Sequence, residues 1–225
     1  MKDIKIEKII RTKRKTIGLQ ITDDATLIIK VPYHIGEDEI KNILLKHKNW
    51  INKKVKKIKE RKIKYYPKKF IEGEKFLFLG KYYKLKIEKR EELKLNINEK
   101  YFVISEAPLA LKKRLFTEWY KKNGYKVISE RVKYYVQKYG FSYNKINITD
   151  AKKRWGSCSP SNNLNFSLRL IMAPIDIVDY VIVHELCHLK EKNHGKSFWR
   201  KVKSIMPDYK EKERWFKENG YFLRF

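Results

Sequence analysis

Nothing in this chain limits its fold more than residues 181–189, Val-Ile-Val-His-Glu-Leu-Cys-His-Leu, where two histidines four positions apart flank a glutamate inside an apolar run. On a helix that rises about 1.5 Å per residue, His184 and His188 project from one face, about 6 Å apart along the axis. Two imidazoles so placed can grip one ion. Glu185, rotated by about 100° from His184, can reach a water on that ion without becoming a ligand. The pattern points to zinc-assisted hydrolysis with Glu185 as general base. Ile177, Val178, Val181, Ile182, Leu186 and Leu189 supply a wide apolar face and Pro174 a helix start, which predicts a buried helix.

A catalytic zinc takes three protein ligands and keeps a fourth position for water. His194 follows His188 at the interval by which metzincins place their third histidine, but Glu191 stands where those chains turn on glycine. Asn193, which tolerates left-handed backbone angles, is therefore expected to make the turn. The rivals for the third position are Glu191, Asp208, Glu211 and Glu213. Glu191 is expected still to be on the helix and too near His188; Asp208 and Glu211 make a capping pair; Glu213 lies in a charged run. His194 has no comparable structural task, so the expected set is His184, His188 and His194 around one Zn2+ per chain.

At 225 residues the chain holds one domain or two small ones. Neither a secretory leader nor the ~18 apolar residues of a membrane span is present, so a soluble cytoplasmic protein is expected, with no membrane partner. Cys158 and Cys187 are too few for a disulfide framework, and Cys187 reads as a small buried apolar residue. The formal charge of +28 would suit a polyanion, yet lysine far outnumbers arginine, and isoleucine, asparagine and tyrosine are also abundant. That pattern fits a general composition bias. Arginine is the better phosphate fork, so the expectation for DNA is weak, salt-sensitive binding.

Residues 3–31, with Ile4, Ile6, Ile17, Leu19, Ile21 and a turn at Asp23-Asp24, predict a small antiparallel sheet. One basic helix is expected from Glu37 to about Lys64, with Ile40, Ile43, Leu44, His47, Ile51, Val55 and Ile58 as its stripe. Strands follow from about Phe70 to Ile104, with a turn at Gly80-Lys81. Residues 108–139 read as helix; Asn123-Gly124 leaves one long helix and two short ones both open. Strands at 145–149 and 163–171 bracket Arg154-Trp155-Gly156-Ser157-Cys158-Ser159. Main-chain groups near 156–168 could hold a peptide by strand addition. Ser157 and Cys158 are not needed as nucleophiles where a metal activates water. Helices over Phe198–Ile205 and from Asp208 to Asn219-Gly220 are expected to cover the metal helix.

These motifs resemble the YgjP-like metallopeptidase family, which is similar to the SprT-like and WLM zincins. The resemblance rests on Arg154–Ser159, Leu170–Pro174, Asp179-Tyr180-Val181, His184-Glu185-Leu186-Cys187-His188, Asn193-His194, Phe198-Trp199 and Met206-Pro207-Asp208-Tyr209. It is densest over 145–220 and looser at Lys13-Arg14-Lys15-Thr16. It implies an α+β protein with a minimal zincin core: a small sheet over the motif helix, three histidine ligands, Glu185 as base, and protein or peptide substrates. The expected division is a strand-rich region with one basic helix over 1–104 and the metallopeptidase core over 105–225. Arg154, Trp155, Gly156, Ser157 and Tyr180 are the further candidates for contacting substrate or supporting the site; Tyr180 and Arg154 could assist the oxyanion or be structural. The likeness to SprT-like proteins, some of which cleave DNA-bound proteins, adds DNA as a partner to test. The competing reading is a basic nucleic-acid-associated module whose metal site is structural or idle.

Overall fold

The computed structural model describes residues 5–22, 24–64 and 68–225. It is a mixed α+β protein with six helices and three small sheets among the described residues. Contacts divide the chain into two compact units, Met1–Tyr66 and Pro67–Phe225, where the sequence suggested a division at 104/105. Strands 75–105 thus belong with the unit that carries the His-Glu motif. No helix among the described residues is long and apolar enough to cross a membrane.

In the first unit, β1 (Ile6–Thr12), β2 (Gly18–Ile21) and β3 (Leu27–Pro32) form a sheet in the order β1-β3-β2. The expected all-antiparallel pairing is corrected: β1 runs parallel to β3, and only β2 is antiparallel to it. The reason is that β3 is central, and its near-continuous apolar run, buried at every position but Lys30, suits a strand covered on both sides. Ile4 and Asp23, assigned to a strand and a turn, lie outside the described residues. The single expected helix is two, α1 (Glu37–Lys46) and α2 (Lys48–Lys64). His47 breaks it, at φ −99° and ψ 8°, and its side chain is exposed. Ile40, Leu44, Ile51 and Val55 are buried as expected.

In the second unit, β4 (Lys75–Phe78), β5 (Lys81–Glu88), β6 (Leu95–Ile97) and β7 (Tyr101–Ser105) pair in the order β4-β5-β7-β6. The β4–β5 loop is Leu79-Gly80, one residue earlier than expected, and both residues have positive φ (47° and 78°), as a two-residue hairpin of matching twist requires. Its tip reaches the segment that leads into the motif helix: Leu79 N–H donates to Ile171 O at 2.8 Å and Gly80 N–H to Met172 O at 3.1 Å. A Cβ on Gly80 would lie 2.9 Å from Pro174 Cγ, so only glycine allows that approach. Helix α3 (Leu109–Tyr139) is continuous. Gly124 sits buried within it and faces Ile148, 3.8 Å from where its Cβ would be, so packing outweighs the ~1 kcal/mol propensity cost. Phe76, Phe116, Tyr120 and Phe225 stack inside, with Tyr120 O–H donating to Leu77 O.

The third sheet consists of β8 (Ile146–Thr149), β9 (Gly156–Cys158) and β10 (Leu164–Ser167), with β10 central and β9 on an edge. The expected strand to 171 stops at Ser167, whose Oγ accepts from Arg169 N–H and so turns the chain into a 3-10 segment, Leu168–Met172. Helices α4 (Ile175–Cys187), α5 (Lys196–Ile205) and α6 (Tyr209–Asn219) complete the unit. Ten residues of α4 are buried, Val183 and Cys187 among them, so the helix is covered on all sides and not along one stripe. Its buried Asp179 is paired with Arg131 of α3 through two hydrogen bonds, Nε to Oδ1 at 2.7 Å being one. Arg131→Ala leaves that carboxylate buried without a partner. We expect a loss of about 2–4 kcal/mol in denaturant-induced unfolding, below the full range for breaking a buried pair because Arg131 is itself one-third exposed.

Candidate metal centre

The three histidines are gathered by the end of α4. His184 lies in its last turn and His188 is the C-cap. The helix therefore stops sooner than expected, and Glu191 is off it. Leu189 N–H donates to Leu186 O, and the Lys190 and Glu191 amides both donate to Cys187 O, winding the chain back on itself. Asn193 is not among the residues with positive φ, correcting the expected left-handed turn. The reversal is spread over these bonds and a tight step in which Gly195 N–H donates to Asn193 O at 2.8 Å. His194 Nε2 consequently lies 2.9 Å from His184 Nε2 and 3.1 Å from His188 Nε2.

This donor set suits a cation. All three ligand atoms lie within 4.8 Å of one another, and tetrahedral zinc with Zn–N of 2.0–2.1 Å would set neighbouring nitrogens about 3.3 Å apart. His188 Nδ1 lies 3.0 Å from Glu191 O. A carbonyl only accepts, so the proton is on Nδ1 and Nε2 presents a lone pair. Burial and the two neighbouring imidazoles push His184 down to about 4, which keeps it neutral near pH 7. Three bare or shared nitrogens at such distances cannot all be satisfied by hydrogen bonds to each other. The rings are clamped by Phe198 of α5, which stacks on His188 (centroids 4.5 Å) and meets His184 and His194 at 4.9 and 4.7 Å. Trp199 lies against His194 and stacks on Tyr209.

Three of the four rival acids are committed elsewhere. Glu191 accepts from Ser197 Oγ at 2.8 Å, Asp208 pairs with Lys212 at 3.1 Å, and Glu213 with Lys217 at 2.8 Å. Asp208 does stand at the N-cap of α6, but its side chain makes no capping bond, so the expected pair with Glu211 is replaced by the Lys212 contact.

Glu185 points from α4 toward β9. Its carboxyl is buried, and Oε2 has no partner within the protein. Gly156 backs directly onto it: a Cβ there would lie 2.6 Å from Oε1. Burial raises its pKa to about 8, opposed by the Cys158 backbone amide and by the charge of Arg154. Arg154 is exposed and acts on Glu185 through its field. Trp155 packs on Phe216 of α6, ring centroids 5.1 Å apart. Ser157 lies in a row with Asn165 and Asn147, whose amides form a 2.9 Å hydrogen bond. Tyr180 is buried with its ring 6.1 Å from His184, and burial pushes its hydroxyl up to about 12. Sequence reasoning missed Phe198 as the clamp of all three imidazoles and Phe216 as a wall of the site. Phe198 enters the sequence reading only as an apolar helical position and part of the Phe198-Trp199 motif, and Phe216 does not enter it.

A family model described as "YgjP-like, metallopeptidase domain" matches residues 15–219. The chain belongs to the YgjP-like metallopeptidase family. The family implies a metal ion and protein or peptide substrates. Among solved structures, the chain is similar to that described as the metallopeptidase zymogen of Pyrococcus abyssi abylysin. The identity is 21%, covering 40% of this chain and 93% of that one, with a TM-score of 0.37. No curated protein matches the chain.

Two outcomes test this geometry. Gly156→Ala must displace Glu185, and a shift of about 1 Å at a reacting group can cost ~10²-fold in rate, so peptidase activity is expected to fall by that order with metal content unchanged. A carboxyl raised to about 8 in the folded state stays protonated while the unfolded chain ionises. In metal-free protein this lowers stability as pH rises from about 4.5 to 8. Glu185→Gln removes that penalty, so its unfolding midpoint should exceed that of the metal-free wild type at pH 8, with the gap closing toward pH 4.

Proposed function

We propose that this YgjP-like metallopeptidase is a single-zinc enzyme in which His184, His188 and His194 hold the ion and Glu185 is the general base. The observation that carries the reading is a buried carboxyl with an unpartnered oxygen beside three converging Nε2 atoms. A structural zinc would be closed by a fourth protein ligand and would have no use for that carboxyl. Bound zinc would supply polarisation of the scissile carbonyl and a lowered pKa for the attacking water. Glu185 accepts the water's proton as the oxygen attacks the carbonyl carbon, then returns it to the amide nitrogen as the C–N bond breaks. Tyr180 and Arg154 are carried as the two candidates to favour the negative charge that develops on oxygen.

The substrate chain is held beside β9. Ser159 N–H donates to Asn163 O and Trp155 O accepts from Ser167 N–H, so odd-numbered residues of this segment face β10. Gly156 and Cys158 then turn their main-chain groups outward. The Cys158 amide is already on Glu185, which leaves the Gly156 groups and Cys158 O for an added strand. The exposed lysines of α2, Lys53, Lys54, Lys56, Lys57 and Lys59, suit weak, salt-sensitive contact with DNA, carried here as a secondary partner.

Glu185→Gln is expected to keep stoichiometric zinc while losing about 10² to 10⁴ in hydrolysis rate. Undiminished cleavage of a peptide mixture by that variant would sink the mechanism. His194→Ala should lose metal on dialysis against a weak chelator as readily as His184→Ala or His188→Ala, whereas Glu211→Ala should retain it.

A further inference from the structure

The first unit carries a groove that the metal chemistry does not use. It lies between β2 and the junction of α1 with α2, has a volume of about 530 Å³, and is lined by Ile17, Leu19, Ile43, Lys46, His47 and Trp50. Ile17, Leu19 and Ile43 are half-buried and make its floor, whereas the rings of His47 and Trp50 are exposed, Trp50 at 42%. A cavity of about 150 Å³ can hold a benzene-sized molecule, so larger flat rings fit here. An exposed indole beside an apolar floor is a surface on which another flat ring gains by stacking.

The charge around that ring is of one sign. From Lys41 to Lys59 the chain has eight lysines and no aspartate or glutamate. On α2, Lys53, Lys54 and Lys57 stand three, four and seven residues after Trp50, so they share its helix face, and all three are exposed. Lys46 reaches the same groove from α1. A lysine-rich composition scatters positive charge over a surface; it does not clear every acid from the stretch that flanks an exposed tryptophan. The other face of α2 is already covered, because Ile51 and Val55 are buried in the core of the first unit. That leaves α2 no apolar face to lay into a membrane, and the recessed floor receives a ring instead of inserting one.

We propose that this groove binds single-stranded nucleic acid, one base stacking on Trp50 over the floor of Ile17, Leu19 and Ile43 while Lys46, Lys53, Lys54 and Lys57 meet the phosphates. An aromatic platform beside a basic track holds single strands with little regard to sequence. In a duplex the faces of each base are covered by its neighbours, so a ring slot selects unpaired strands. Lysines meet phosphates as point charges and not as forks, which suits the same tolerance. The inference extends the DNA contact proposed for α2 by giving it a strand type and a stacking residue, and it is independent of the zinc mechanism.

The test titrates the zinc-loaded full chain against fluorescein-labelled oligo(dT), oligo(U) and a blunt DNA duplex of mixed sequence, with anisotropy as the readout. The single strands should bind more tightly than the duplex and weaken steeply as salt rises. A preference for oligo(dT) identifies the strand as DNA and one for oligo(U) as RNA, and either supports the proposal. Trp50→Ala should weaken single-strand binding ~5–150-fold, the range that one stacked base is worth, while Trp50→Tyr keeps most of the affinity. Replacing Lys53, Lys54 and Lys57 together by glutamine should lower the slope of log affinity against log salt by about 2, since each phosphate contact on a single strand contributes about 0.7. These three side chains are exposed, so that variant keeps its fold. Equal binding of the duplex with no effect of Trp50→Ala overturns the stacking slot and leaves only the lysine contact. Absence of binding at low salt overturns both. Tighter, Trp50-dependent binding of polyglutamate or of phosphatidylglycerol vesicles gives the groove to that partner and overturns the proposal as well. None of these residues belongs to the metal site, so Trp50→Ala should cleave peptides at the wild-type rate. Loss of cleavage in Glu185→Gln and loss of oligonucleotide binding in Trp50→Ala are therefore separate results.

Discussion

A carboxyl group buried in an apolar wall is costly, and the architecture of the second unit follows from how Glu185 is held there. Gly156 backs it on one side and α4 carries it on the other. One backbone amide, that of Cys158, and the more distant charge of Arg154 are its compensation. That is too little to return its pKa to the ordinary carboxylate range, so the site keeps a group able both to take and to give a proton near neutrality. The position of β9 is thus doubly constrained. It must lie close enough to support the carboxyl, and the proposed binding of substrate by strand addition asks that it remain an edge strand. Pairing of β10 with β8 and β9 meets both demands, since the central strand carries the packing and the edge is left unpaired.

Holding α4 in register with β9 takes contacts far apart in sequence. The hairpin tip at Leu79-Gly80 binds the carbonyls of Ile171 and Met172 just ahead of Pro174, and Arg131 pins Asp179 in the second turn of the helix. Both contacts act on the amino-terminal half of α4, while the reacting groups lie at its end. The helix is therefore anchored where it does no chemistry. Its last turn is shaped by the bonds that wind residues 188–191 back toward the ligands.

The metal-helix residues were legible in the sequence because helical geometry is local: a four-residue spacing fixes the relative directions of His184 and His188 wherever the helix sits. His194 could be nominated by interval, yet the path to it could not, since the turn distributes its angles over several residues instead of concentrating them at Asn193. His47 and the Asp208–Glu211 pair misled for a related reason. A helical stripe does not reveal a one-residue break, and Asp208 had Lys212 within reach as an alternative to the backbone. Parallel pairing of β1 with β3, and the grouping of strands 75–105 with the metal-site unit, depend on long-range contacts that no local pattern carries. Phe216 is hidden in the same way, reaching Trp155 from the far end of the chain.

The aromatic clamp links metal binding to the placement of α5. Phe198 is fully buried and touches all three imidazoles, so the rings that are the proposed ligands are also the surface on which α5 docks. An ion between the three imidazole nitrogens would attract all of their lone pairs and so would strengthen the packing of α5 through Phe198, and of α6 through the stack of Trp199 on Tyr209. Phe216 of α6 packs in turn on Trp155, so one series of ring contacts runs from the imidazoles through α5 and α6 to the strand that backs Glu185.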